Sequence, residues 1–536
     1  MQPQMNTDEH RSGWPQPKTW RFFASSRLCG KGRVPIHHED AKTQKITKSF
    51  RSVGSLSGGS MMKSRRDFLF DSYLGLGALA LKDLLGADFA RAASGGDANP
   101  LAAKPQHHPA KAKSCIFLFM EGGVSQMDTF EYKPALVKYA GKQMPKAERT
   151  EGELATFSAA PNRIIPPFWG FKQHGQCGRW ISDLLPELAT CVDDLAFIHG
   201  VKIDNNNHGP AVYHTLTGSQ FPGAASVGAW VTYGLGTENK DLPGFIVMGD
   251  RRGATIGGAG IWGNGFLPAA FQGTLFRNGA TPIVDLNRRP GVSEAEQRKE
   301  LDLLRWINER HSADRTNTGE LDARIASFEL AFRMQARAPE LVDLSSESEG
   351  TKKLYGLDDP GTEPFGRQCL LARRMVERGV RFVKVLHGAG PDRWDDHGAL
   401  QERLPVHCNE VDRPVAGLIK DLKSRGLLNE TLVVWASEMG RTPFDNNLTT
   451  SKPGRDHNQY GLVVWMAGGN VKPGATFGET DEFSVRAAAE EIPVRDVHAT
   501  LLHLLGLDQN RLTFLHAGRY KKLTDIGGRV ITEILS

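Results

Sequence analysis

Residues 115–130 read CIFLFMEGGVSQMDTF. The first six residues are apolar without a break, so they cannot alternate between core and water as a half-exposed strand does. An unbroken apolar run of this length, closed by a turn, is a strand covered on both faces, as in a parallel sheet under helices. The turn is Glu121-Gly122-Gly123, with Ser125 and Asp128 close behind. In open α/β sheets, sites form beyond the carboxyl ends of the strands, which is where these polar residues fall.

Five more largely apolar runs follow: LAFIHGV (195–201), GFIVMG (244–249), VRFVKVL (380–386), TLVVWAS (431–437) and GLVVWMAG (461–468). Helical patterns lie between several of them. Ser293 and Glu296 have capping-box spacing and predict a helix to about 311. A second is predicted over about 321–337, and PFGRQCLLARRMVERG closes on a glycine. LPVHCNEVDRPVAGLIKDLKSRGLL predicts a long amphipathic helix kinked by an internal proline. Strands alternating with helices predict an α/β fold with a mostly parallel central sheet flanked by helices, and the 285–360 region predicts a helical insertion.

The formal net charge of +5 is unevenly placed. Residues 1–60 carry 10 Lys and Arg against 4 Asp and Glu, and residues 61–96 carry 5 against 4. The remainder is close to neutral, with 51 against 53, and gives no electrostatic case for nucleic-acid binding. Residues 1–60 show no helix or strand period. Beyond them, Arg65 and Arg66 precede a short apolar run from Tyr73 to Leu81, and Ala90-Arg91-Ala92 has the small-residue pattern of a cleavage site. This reads as a twin-arginine export signal over 61–93, followed by a linker over 94–112 and a domain over 113–536. The expectations are a start at Met61 or Met62, with 1–60 a gene-start artefact, and a periplasmic or exported product. The apolar run is too short and too interrupted for a transmembrane segment. The six cysteines have no metal-type spacing, and Cys177 and Cys191 are the pair an oxidising compartment could join.

Five polar clusters lie next to strands. Glu121 and Asp128 follow the first. His208 lies in NNNHGP, after 195–201. Asp392, Asp395, Asp396 and His397 follow 380–386. Glu438 and Arg441 follow 431–437. Asp456 and His457 come just before the strand at 461–468. Carboxylates mixed with imidazoles, with no thiolate, suit a divalent ion such as Zn, Mn, Fe or Ca rather than a closed structural zinc site. A nearby arginine suits a sulfate or phosphate group. His214, His498 and His503 sit among apolar residues at helical spacing and read as packing.

The order of these motifs resembles the alkaline-phosphatase-like superfamily, the fold of sulfatases. Within it, residues 110–530 are most similar to an exported bacterial sulfatase-like family labelled as a domain of unknown function. The strings that carry the likeness are Gly122–Phe130, Trp394–His397, Ser437–Pro443 and Gly454–His457. The resemblance implies an alkaline-phosphatase/sulfatase-like fold, a metal site drawn from Glu121, Asp395, His397, Glu438 and His457 with Asp128 and Asp456 behind them, and Arg441 contacting an anion. The chain departs from the sulfatase pattern at its centre. Where sulfatases have C/S-x-P-x-R, it has His208-Gly209-Pro210-Ala211-Val212, which excludes formylglycine chemistry. Glu438 and Met439 stand where the superfamily has Asp and His.

His208 then has three readings: a metal ligand in place of the lost nucleophile, a general base, or, least favoured, a covalent phosphohistidine. The function expected is an exported, metal-dependent hydrolase of a small sulfate or phosphate ester, its substrate a small ester or a sulfated or phosphorylated glycan. The alternative is a catalytically degenerate binding or scaffold protein of the cell envelope, with protein partners there.

Overall fold

The structure is a computed structural model. It describes residues 99–144, 163–279, 282–283, 286–288, 290–313, 319–391, 393–445 and 452–536. The leader with Arg65 and Arg66, and Asp392, lie outside the described residues. All six apolar runs are strands: β1 (Ser114–Met120), β2 (Leu195–Lys202), β3 (Phe245–Met248), β5 (Phe382–His387), β6 (Thr431–Ala436) and β7 (Leu462–Ala467). Three short strands complete the sheet: β4 (Thr274–Phe276), β8 (Thr476–Phe477) and β9 (Ile492–Pro493). The order across the sheet is β8-β2-β7-β6-β1-β5-β3-β4, with β9 also paired to β2.

Every pairing in this sheet is parallel except those of β7, which is antiparallel to both β2 and β6. That one reversal matters for the site. Because β7 runs backwards, the residues that precede it reach the same edge as the residues that follow the other strands. β1 sits in the middle, with Met120 level with His387 and Phe119 level with Ala436. All seven β1 residues are buried, as their lack of alternation predicts. Ile116, Leu118 and Met120 face one core layer, and Cys115, Phe117 and Phe119 face the other.

The helices cover both faces. They are α1 (His208–Thr217), α2 (Val227–Leu235), α3 (Glu294–Ala313), α4 (Gly319–Val342), α5 (Glu349–Leu354), α6 (Glu363–Glu377), α7 (Leu400–Ser424) and α8 (Val494–Leu504). α3 to α5 follow one another between β4 and α6, where the helical insertion was expected. The capping box is in place, with the Glu296 backbone N–H donating to Ser293 Oγ at 3.2 Å and the Ser293 N–H to Glu296 Oε2 at 2.8 Å. α4 extends past the expected 337 and carries Pro339 inside it; α7 runs through two prolines, Pro405 and Pro414, rather than one. Cys177 and Cys191 are both free thiols. Cys191 is buried with Sγ 3.8 Å from the Ala416 carbonyl, and Cys177 is exposed. Among the described residues, no helix is long and apolar enough to cross a membrane.

Candidate metal centre

Five loops meet at the sheet edge formed by the ends of β1, β2, β5 and β6 and the start of β7. Two glycines let them close. Gly122 has φ +123°, and a Cβ there would lie 2.4 Å from the Trp394 amide nitrogen. At Gly454 a Cβ would lie 2.1 Å from the His397 carbonyl carbon. Only glycine tolerates both the backbone conformation at the first and the close approach at both. Asp395 and His397 are therefore pressed against the β1 turn from one side and against the 454–457 loop from the other.

Asp395 is the hub. Its Oδ1 lies 3.0 Å from His397 Nε2, 3.2 Å from His457 Nε2 and 2.7 Å from Arg441 Nη2. Its Oδ2 lies 3.2 Å from His208 Nε2, which makes no hydrogen bond of its own. His397 Nε2 and His457 Nε2 approach to 2.9 Å. Three imidazole nitrogens thus converge on one carboxylate. Burial alone would raise the Asp395 pKa, but His208, His397 and His457 outweigh it and hold the group far below the ordinary carboxylate range.

The outer atoms of two of these rings are fixed. His457 Nδ1 lies 2.7 Å from the Asn206 carbonyl, which can only accept, so Nδ1 carries a proton. Burial pushes the His457 pKa below its ordinary value, leaving a neutral ring whose Nε2 lone pair faces the centre. His208 Nδ1 lies 2.6 Å from Oε1 of Glu438, a fully buried residue that also accepts the Gly122 N–H at 2.9 Å. Burial acts against protonation of His208, but Asp395 and Glu438 lift its pKa to about 9.

Asp456 is fully buried, yet only one of its carboxylate oxygens is accounted for. Oδ1 accepts the His457 N–H at 2.8 Å and lies 3.7 Å from His397 Nδ1, while Oδ2 has no hydrogen-bond partner. A buried, unpartnered carboxylate oxygen is costly unless a cation satisfies it. Two groups have the reach to hold an ion, His208-Asp395-His457 and His397-Asp456-His457, each with its ligand atoms within 4.8 Å of one another. Both need His457. With Nδ1 committed to Asn206, Nε2 is its one remaining ligand atom, so the two groups compete for a single nitrogen.

Four residues expected at the site stand in other places around it. Glu121 is fully buried against Arg393 Nε at 2.7 Å and the Ile256 N–H at 2.8 Å. Burial drives its pKa up to about 7, against the pull of Arg393. Asp128 is held by Arg455 Nε at 2.5 Å and by Ser125 Oγ at 2.5 Å, in a fully buried pair that props the 454–457 loop. Glu438 touches the centre through His208. Arg441 is buried, and Nε donates to Gly123 O at 2.9 Å, Nη1 to Arg455 O at 3.0 Å and Nη2 to Gly122 O, Trp394 O and Asp395. Its guanidinium is thus committed to protein oxygens on every nitrogen. Asp396 is tied to Arg403 at 2.7 Å, and the ring of His498 is buried with Nε2 2.8 Å from Thr215 O. Asn206 escaped the sequence reading because it acts through its backbone carbonyl, for which no residue type is a signal.

Fold and site together define a mixed α/β protein with a histidine- and carboxylate-lined candidate metal centre at the carboxyl edge of its sheet. A family model described as "Protein of unknown function (DUF1501)" matches residues 112–535. The chain belongs to that family. No curated protein matches the sequence. Among solved structures, it is similar to Ps i-CgsB in complex with k-i-k-neocarrahexaose (11% identity, TM-score 0.33, covering 74% of this chain and 72% of that one). It is also similar to the PsFucS1 sulfatase from Pseudoalteromonas sp. (10% identity, TM-score 0.30, covering 74% and 68%). A third is the alkaline phosphatase from the Antarctic bacterium TAB5 (9% identity, TM-score 0.32, covering 75% and 100%). At this level of likeness no chemistry transfers to this chain.

Proposed function

We propose that this protein is a metal-dependent hydrolase of a sulfate or phosphate ester, with one divalent ion held through His457 and Asp395. The observation that carries the reading is the buried Asp456 Oδ2 with no partner, on a residue grouped with His397 and His457. A buried carboxylate oxygen without a partner fits a cation nearby better than it fits the protein groups alone. His457 and Asp395 fit an ion, with His397 and Asp456 as the competing set for the same His457 nitrogen, and His208, whose pKa is lifted to about 9, is left to carry a proton. A bound divalent ion would supply Lewis acidity toward an ester oxygen and toward water.

The chain's own residues have definite tasks in this reading. Asn206 and Glu438 fix the rings of His457 and His208 by accepting their outer N–H groups, which aims both Nε2 atoms inward. Arg441 locks Asp395 to the β1 turn and does not contact the substrate. His208, first residue of α1, stands where a nucleophile would, and the two carboxylates that flank it suit it to hold and move a proton. The Arg65-Arg66 leader supports export of the folded chain.

Metal content by mass spectrometry, on protein purified without chelator, tests the reading. About one equivalent of Zn, Mn, Fe or Ca is expected, lost in His457→Ala and Asp395→Ala. Turnover in a screen of aryl sulfates and aryl phosphates is expected to vanish with it. A folded chain that takes up none of these ions when they are added, and turns over no ester, would overturn the reading in favour of a binding or scaffold role.

A further inference from the structure

A second cavity, of about 390 Å³, shares no residue with the metal groups. Its walls come from the segment after the short helix Gln126–Thr129, from the hairpin pairing 171–174 with 179–182, and from β2 and β8. The polar side chains divide into those already satisfied and those that are not. Glu131 accepts Thr480 Oγ1 and Ser484 Oγ, each at 2.7 Å, and lies 3.5 Å from Lys133 Nζ. Lys133 donates to the Thr480 carbonyl at 2.8 Å. Glu479 also lines the cavity and is exposed, and two further groups keep a buried polar atom without a partner. His199 is 5% exposed, and its Nδ1 has no hydrogen-bond partner, lying 3.7 Å from Glu131 Oε1. Arg179 is half-buried with its guanidinium 4.9 Å over the Phe197 ring; its Nε is buried without a partner, and no ion pair holds it among the described residues.

An arginine cannot shed its charge, so a partly buried guanidinium with no carboxylate is a site for an anion. Beside it, Trp180 packs against Tyr132 in a tilted arrangement with ring centres 4.9 Å apart, and Trp180 keeps 38% of its surface exposed. An exposed aromatic face next to an unpaired guanidinium recognises a ring that carries a negative group, and the mixed polar wall suits hydroxyls. The volume is that of a small-ligand pocket. We propose that this cavity is a second ligand site, for a sugar ring bearing a carboxylate or sulfate group, in which Arg179 takes the anion, Trp180 the ring face and His199 a hydroxyl. The site is independent of the metal centre, so it stands or falls separately from the hydrolase reading.

Tryptophan fluorescence and calorimetric titration test it, with galacturonic acid trisaccharide for the carboxylate, galactose 6-sulfate for the sulfate and galactose as the neutral control. The protein is the full chain, stripped of metal with chelator. At least one charged sugar is expected to bind saturably and at least about tenfold more tightly than galactose, and which of the two binds identifies the anion. Arg179→Met is expected to weaken that binding by about tenfold or more, and Trp180→Ala comparably. Asp456→Asn, which alters only the metal centre, is expected to leave it unchanged. Circular dichroism checks that each variant is folded. Failure of both charged sugars to bind at 10 mM (about the weakest affinity worth assigning to a site), or binding that Arg179→Met and Trp180→Ala leave intact, would overturn the proposal.

Discussion

Asp456→Asn separates a metal centre from a structural cluster, because the two assign it opposite signs. The substitution keeps the shape of the side chain and its Oδ1 contact to the His457 N–H, and it removes the negative charge at the unpartnered Oδ2. In chelator, the variant is expected to be more stable than the wild type by about 1 kcal/mol or more, since an unpaired buried amide costs less than an unpaired buried carboxylate. In metal the order reverses. An ion present at a hundred times its dissociation constant stabilises the wild type by about 2.7 kcal/mol. If loss of the ligand weakens binding about a hundredfold, the same concentration stabilises the variant by only about 0.4 kcal/mol. Urea unfolding of both proteins, with chelator and with added zinc or manganese, reads the difference directly. Equal losses of stability in the two conditions would refute the reasoning, since Asp456 would then be holding the loop rather than an ion.

Other outcomes follow from the same geometry. Asp128→Asn leaves Arg455 charged and fully buried without its counter-ion, and is expected to cost about 3–5 kcal/mol in urea unfolding. Gly122→Ala sets a methyl 2.4 Å from the Trp394 nitrogen at a φ of +123°, and is expected to lower the thermal midpoint and abolish metal uptake together. Burial lowers the His498 pKa from the ordinary histidine value to about 4. The neutral ring is favoured in the fold, so its stability is full above about pH 6.5 and declines as the pH falls toward 4, by about 3 kcal/mol in all. His498→Gln is expected to flatten the urea midpoint between pH 7 and pH 4 by that amount, and an unchanged slope would refute the assignment.

The sheet was legible because its strands are written in short apolar runs, such as 115–120 and 432–436, rich in β-branched and aromatic residues and closed by turns. The residues of the site were legible as clusters at strand ends. Their division of labour was not. Glu121, Asp128 and Arg441 have the chemistry of ligands and anion contacts, yet Arg393, Arg455 and a set of backbone carbonyls engage them. Whether a carboxylate is free depends on which distant residue folds against it, and a motif does not carry that information. Asp456 and His457 precede their strand, and only the reversal of β7 against its neighbours explains why they belong with the others.

The hydrogen bond from His457 to Asn206 joins residues 251 positions apart, and it sets the tautomer on which the whole centre depends. No fragment that stops short of residue 457 contains both ends. During synthesis, four of the five loops emerge with their imidazoles and carboxylates unassembled, and closure waits on the last of them. In the proposed metal site, loading of an ion would therefore wait on that closure, and a ribosome-bound chain halted before residue 457 is expected to retain no ion at all.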